Sequence, residues 1–304
     1  VRIFDRIAGG ESVYGQIIDH PDLPKKATLE LNETNSRIRK FVNSSMRIVI
    51  DDANEYVLAN RKSWDTRRDC GPLRPQHDSI WFEYKTNMDA YSPETGYTVF
   101  EDMPVAILAN SIQLENGITD FVLQGLTVDR GGITLFPCAM LIKVDQHGEV
   151  LQEIRSLQIR EDLQQMVEYQ NISKDELVRT YDYLSVPALL AIGWMNCKNL
   201  TLEDVKIPEH TQRRRRKNRQ PIGLDYRQIK VMPDKRKKSG TTSSHEDPQP
   251  QPLHMVRGHF KTFTAEKPLL GRIVGTFWWS HQLRGVEEMG RINHEYHTTA
   301  MGKQ

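Results

Sequence analysis

Residues 121–154 read FVLQGLTVDRGGITLFPCAMLIKVDQHGEVLQEI, and the parsing of this stretch decides the fold. Two apolar, β-branched runs, 121–128 and 133–144, flank Asp129-Arg130-Gly131-Gly132, an acid and two glycines suited to a hairpin turn. Asp145-Gln146-His147-Gly148 marks a second turn before the run 150–154. Strands joined by such short turns pair with their sequence neighbours, so the stretch predicts consecutive antiparallel strands.

Upstream, Ile80-Trp81-Phe82-Glu83-Tyr84 and the run 105–109, VAILA, are short, apolar and β-prone, which predicts two central strands of the same sheet. Ile38, Phe41, Val42, Met46, Val49, Ala53 and Tyr56 recur at helical spacing behind Thr34 or Asn35 as N-cap. That spacing predicts one long amphipathic helix from residue 35 to about residue 61, closed by Asp69-Cys70-Gly71-Pro72. Residues 160–169 and 173–195 are also expected to be helical, the second started by a Ser173/Glu176 capping box and holding Pro187. Residues 1–26 give only a short strand or helix followed by a loop. The fold class read from these segments is α+β: an N-terminal, mostly antiparallel sheet with amphipathic helices packed on one face, plus a small β-rich C-terminal module.

That module lies in residues 254–285, HMVRGHFKTFTAEKPLLGRIVGTFWWSHQLRG. Apolar and polar residues alternate over 259–264 and again over 272–278, around a connection holding Pro268 and Gly271, so a β-hairpin is expected. Period two would put Met255, Arg257, His259, Lys261 and Phe263 on one face of a single strand. Between residues 213 and 238 stand twelve lysines and arginines against Asp225 and Asp234, with a strand expected over 224–231. Residues 239–252, SGTTSSHEDPQPQP, have the composition of a flexible linker. Residues 291–298 alternate as a last strand would. The expected organisation is a helix-on-sheet domain over 1–208, a basic segment and linker over 209–253, and a His/Arg/Trp-rich module over 254–304.

Several of these pieces carry a resemblance. The pattern HMVRGHFKTFT…PL.GR..GTFWW..…RG in 254–285 is similar to the C-terminal signature of a family of proteins encoded by phages, prophages and related mobile elements. Ser79-Ile80-Trp81-Phe82-Glu83-Tyr84, Met195-Asn196-Cys197-Lys198-Asn199 and the run 213–226, RRRRKNRQPIGLDY, resemble further elements of that family in the same order. Where the family has Gly-Lys before the proline, this chain has Arg219-Gln220, so no phosphate contact is carried over to that pair. The resemblance implies a gene of mobile origin working in a bacterial cytoplasm and supplies no catalytic residue.

Composition bounds the function classes. A chain of 304 residues exceeds what one hydrophobic core usually fills, which favours two modules. With 41 lysines and arginines against 40 acids there is no global field, so a charged partner must be met by a local patch. Cys70, Cys138 and Cys197 are odd in number and widely spaced, as reduced cytoplasmic thiols would be. The longest apolar run, 184–195, holds a proline and is shorter than a bilayer requires, so no membrane association is expected. Gly9-Gly10 and Gly131-Gly132 lack the flanks of a phosphate-binding loop, and no nucleophile elbow is present.

The chemistry-bearing residues are cationic and aromatic. Arg213, Arg214, Arg215, Arg216 and Lys217 with Arg257, Lys261, Arg272 and Arg284 are candidate phosphate contacts, and Trp278 and Trp279 are candidate base-stacking rings. DNA or RNA is the expected partner. The same residue types also anchor protein interfaces, so a protein partner stays open. A third reading is a metal-independent ribonuclease with His259 and His281 as base and acid, steadied by Lys261 or Arg284. His254 and His259 fall on opposite faces of a regular strand and have no cysteine partner nearby, so no metal or cofactor is assigned. Glu83, Asp102 and Asp120 are the weaker acidic alternative, a magnesium cluster.

Overall fold

The computed structural model describes residues 1–13, 25–60, 64–92, 96–114, 116–129, 132–154, 174–231, 252–256, 258–280, 282–284 and 286–292. In chain order its elements are α1 (Ile3–Ala8), α2 (Lys25–Ser44), β1 (Met46–Val49), α3 (Asp51–Asn60), α4 (Thr66–Asp69), β2 (Ser79–Ser92), β3 (Gly96–Gln113), β4 (Thr119–Asp129), β5 (Gly132–Val144), β6 (Val150–Ile154), α5 (Lys174–Met195), β7 (Leu200–Val205), α6 (Glu209–Lys217) and β8 (Tyr226–Val231). Five short strands follow: β9 (Pro252–Val256), β10 (His259–Phe263), β11 (Gly275–Trp279), β12 (Gln282–Arg284) and β13 (Val286–Ile292).

The fold is α+β. Eight strands form one sheet in the order β6-β5-β4-β3-β2-β1-β8-β7. Strands β2 to β6 make an antiparallel meander, its β4–β6 part being the one residues 121–154 predicted, with Phe121 opposite Ile142 and Leu123 opposite Met140. Strand β1 runs parallel to both its neighbours, Ile48 lying opposite Phe82 on one side and Arg227 on the other.

The long helix expected over 35–61 is instead two helices with β1 between them. Its spacing fits a helix, but Met46-Arg47-Ile48-Val49 ends in two β-branched residues, which also suit a strand. A slot between β2 and β8 burying both faces outweighs local helical propensity. Strand β7 was not anticipated from the sequence, and it closes the far edge against β8. Residues 160–169 and Ser173 lie outside the described residues.

Helices cover both faces of the sheet rather than one. Ile80, Phe82 and Tyr84 point into a core roofed by α3 and α5, through Ala53, Val57, Leu184 and Leu189. Trp81, Ala106 and Leu108 point the other way, under Phe4 and Ile7 of α1 and Ile38 and Val42 of α2. Strand β4 serves both cores by plain alternation, Phe121 and Leu123 facing one and Leu126 the other, while the irregularity in its pairing with β5 lies on β5, where Gln124 is opposite Ala139 and Leu126 opposite Leu135. Each such fully buried side chain stabilises the fold by about 1.5–3 kcal/mol. Pro187 removes a backbone donor inside α5, and in the preceding turn the Tyr84 hydroxyl donates to the Leu184 carbonyl.

The expected boundary after residue 208 is not a boundary. Strand β8 sits inside the main sheet, and α6 is tied to α1: Arg215 Nη1 lies 2.6 Å from Asp5 Oδ2, and Asp5 Oδ1 accepts from Leu224 N. Gln212 completes this clamp, exchanging two hydrogen bonds with the backbone of Gly223.

Candidate nucleic-acid interface

The expected hairpin forms, with β10 antiparallel to β11 and His259 opposite Trp279, Lys261 opposite Phe277 and Phe263 opposite Gly275. The strand expected to run unbroken from Met255 to Phe263 is interrupted at Gly258. Strand β9 pairs instead with β12 and β13. Gly258 lies so close to Trp278 that an added Cβ would be 2.7 Å from its ring, and its carbonyl accepts from the Tyr56 hydroxyl.

One face of this ribbon is its anchor. Trp278 is 5% exposed and meets Tyr56, Trp194 and Phe260 edge-on, at centroid distances of 5.1, 5.4 and 4.8 Å. Phe260 is seated between two glycines: an added Cβ would come within 2.6 Å of its ring at Gly71, and at Gly193 it would meet both Phe260 and the Cys70 carbonyl. The outer edge of β11 is closed by the turn after α5. There Lys198 N donates to the Thr276 carbonyl, Trp278 N donates to Asn199 Oδ1, and Asn199 Nδ2 donates to the Trp278 carbonyl. Asn196 of the same turn reaches the carbonyls of Pro72 and Arg74. The Asn196-Cys197-Lys198-Asn199 element is therefore the joint that fastens the ribbon to the main core.

The opposite face looks outward. His259 and Lys261 are exposed, and Phe263, Phe277 and Trp279 are partly so. The His259 ring lies 27° from parallel with Trp279 at 6.2 Å, and Phe263 meets Phe277 at 5.9 Å. The Lys261 ammonium stands 5.1 Å from the Trp279 ring centre and 5.2 Å from that of Phe263. Lys198, not singled out from the sequence, reaches the same ribbon. Its Cε occupies the space a side chain on Gly275 would need, 2.6 Å from the added Cβ. The signal for it was the glycine directly before Thr276-Phe277-Trp278-Trp279, where a β-branched residue would be ordinary.

The other sequence candidates divide. Trp278 is core and offers no face for stacking. Arg215 is committed to Asp5, while Arg213 and Arg216 share Glu209. Arg214 and Lys217 of α6 are exposed, as is Arg272 in the hairpin loop. Arg257 and His281 lie outside the described residues, as do the side chains of His254 and Arg284, so the pairing of His259 with His281 does too. Among the described residues the cations fall into two groups: the ribbon is fastened just before β7 and α6 starts just after it, so a whole strand separates them along the chain.

The acidic alternative comes apart. Glu83 is buried beneath the start of α1, accepting from Ile3 N and Phe4 N, and burial pushes its carboxyl up to about 7. Asp102 pairs with Lys85 and Asp120 with Lys143. Among the described residues no group of histidines, cysteines and acids could hold a metal ion. Cys197 is a buried thiol pushed up to about 12 by desolvation, so it is protonated and inert at neutral pH. A polar groove of about 470 Å³, lined in part by Arg47, His77, Lys206 and Arg227, is largely self-satisfied. Arg47 donates to the carbonyls of Val42 and Asp225, and Arg227 pairs with Asp204.

No family model, curated protein or solved structure matches the chain. Among the described residues no helix is long and apolar enough to cross a membrane.

Proposed function

We propose that this protein binds nucleic acid, with the outer face of the β10–β11 ribbon as the principal contact and the exposed cations of α6 as a second, separate one. The observation that supports this reading is the placement of Lys261 beside partly exposed aromatic rings on the face opposite the one that buries Trp278. Cations beside stacking rings are what a phosphate backbone carrying bases requires, and a purely structural ribbon face would not need three large rings in partial contact with water. Within 258–280 the lone acid Glu266 stands against Lys261, Lys267 and Arg272.

The test is binding of fluorescent DNA and RNA oligonucleotides across a salt series. Affinity should fall steeply with salt, and Lys261→Gln together with Arg214→Gln and Lys217→Gln should lower the slope by about one unit or slightly less for each phosphate no longer neutralised. No affinity at low salt rejects the reading in favour of a protein partner. For that partner the exposed Leu270 and Val274 of the hairpin loop are the apolar contacts. RNA cleavage that disappears in His259→Ala would instead identify a nuclease. A mobile-element origin and work in a bacterial cytoplasm belong to the same proposal, and the genes flanking this one are the check on it.

A further inference from the structure

Taking the nucleic-acid reading as its basis, we infer that the ribbon selects single strands, holding two consecutive nucleotides with one base on Trp279, the next on the Phe263/Phe277 pair, and the intervening phosphate on Lys261. Three features of the ribbon lead there.

The first is spacing. Trp279 and Phe277 stand two residues apart on β11, roughly 7 Å along the strand. Stacked bases follow each other at about 3.4 Å. Adjacent rings of this face therefore cannot meet adjacent bases of a duplex; they fit bases that have separated from one another. A duplex also keeps its base faces covered, which leaves these rings nothing to stack on.

The second is the position of the ammonium group. Lys261 Nζ is nearly equidistant from the Trp279 and Phe263 rings, at 5.1 and 5.2 Å. A charge placed midway between two base platforms is where the linking phosphate of a dinucleotide falls. His259 stacks against Trp279, 27° from parallel at 6.2 Å, and so helps hold that ring in place.

The third is Lys198. Its stem passes over Gly275, which sits opposite Phe263 in the register, so a second cation borders the far platform. Lys198 comes from the turn that fastens the ribbon, and its backbone N–H donates to the Thr276 carbonyl, so the base of its side chain is held beside the rings. Along the ribbon the face thus runs from Trp279 and His259, through Lys261 opposite Phe277, to Phe263 beside Lys198, so rings and cations are met together by an extended single strand.

The experiment compares oligo(dT) and oligo(U) of about ten nucleotides with a duplex of similar length, by fluorescence anisotropy at low salt. Single strands should bind at least about tenfold tighter than the duplex. Trp279→Ala should weaken single-strand binding about tenfold or more, with Trp279→Phe retaining most of the affinity. Lys261→Gln, on an exposed side chain that leaves folding intact, should lower the salt slope by about 0.7 for single strands and leave any duplex slope unchanged. Duplex binding equal to single-strand binding, insensitive to Trp279→Ala but abolished on neutralising Arg214 and Lys217, overturns this inference and leaves the broader reading standing. Absence of binding by every probe at low salt removes both.

Discussion

The side chain of Asn199 takes the place of a β-strand against Trp278, its Oδ1 accepting from the tryptophan N–H at 2.9 Å and its Nδ2 donating to the tryptophan carbonyl at 2.6 Å. A single amide thereby satisfies both backbone groups of the residue that anchors the ribbon, and it does so from the turn that also carries Lys198. Asn199→Ala leaves both groups without their partner, a destabilisation of about 2 kcal/mol or more. Asn199→Asp restores only the acceptor and sets a carboxylate against the carbonyl, so it will not rescue. Urea unfolding followed by tryptophan fluorescence measures the effect, and faster hydrogen exchange at the Trp278 amide localises it; unchanged exchange would show that the amide is not the joint.

Gly193→Ala tests the seat of Phe260. A Cβ there would lie 1.6 Å from the Cys70 carbonyl oxygen, a backbone atom that cannot swing aside. The expected cost is about 3 kcal/mol or more, at or beyond the upper range for overpacking. Gly271→Ala is the comparison: its φ is +72° and nothing lies near its added Cβ, so only the left-handed backbone is penalised, by about 1 kcal/mol. Equal urea midpoints for the two variants would contradict the close packing of α5 on the segment around Cys70.

Glu83 gives stability a pH dependence of unusual sign for a carboxylate. Burial raises its pKa from 4.5 to about 7, against the opposing hydrogen bonds from α1 and the charge of Arg2. Between those values the folded state holds a proton that the unfolded state has released. Its contribution is therefore fully present below pH 4.5 and is lost as pH rises through 7, a total of roughly 3 kcal/mol. Glu83→Gln removes the titration. Urea midpoints from pH 4.5 to 8 should fall more steeply for the natural protein than for the variant, and parallel curves would refute the assignment.

The arginine run separates into structural and exposed members. Arg215→Ala abandons Asp5, which is 1% exposed, and breaking a buried pair costs about 3–5 kcal/mol. Arg214→Ala, one residue earlier and exposed, should change stability by no more than about 0.5 kcal/mol. Thermal unfolding of the two variants decides it, and a small shift for Arg215→Ala would mean that the α1–α6 clamp carries little of the fold.

The parts of the fold that the sequence disclosed are those fixed by neighbours in the chain. The meander of β4, β5 and β6 and the β10–β11 hairpin each follow from alternation and turn residues within a few positions. What stayed hidden depends on partners far away. Met46 to Val49 carry apolar residues at positions compatible with either period, and only parallel slots on β2 and β8, dozens to hundreds of residues distant, make them a strand. The four arginines look alike in sequence, yet Asp5 lies 210 residues from Arg215 and turns one of them inward. Likewise Trp278 and Trp279 are adjacent and identical in type. Period two says that they face opposite ways, and the packing of Tyr56 and Trp194 determines which one is buried.

Because Phe260 and Trp278 complete a core whose other walls are laid down by residues up to Ile229, that core cannot close on the ribosome until the ribbon has emerged. Until then Tyr56, Trp194 and the two glycines form an open cleft with greasy walls. A translation product halted before residue 258 would leave that surface open to chaperones and proteases, so the same ribbon proposed to touch nucleic acid also acts as the seal over it.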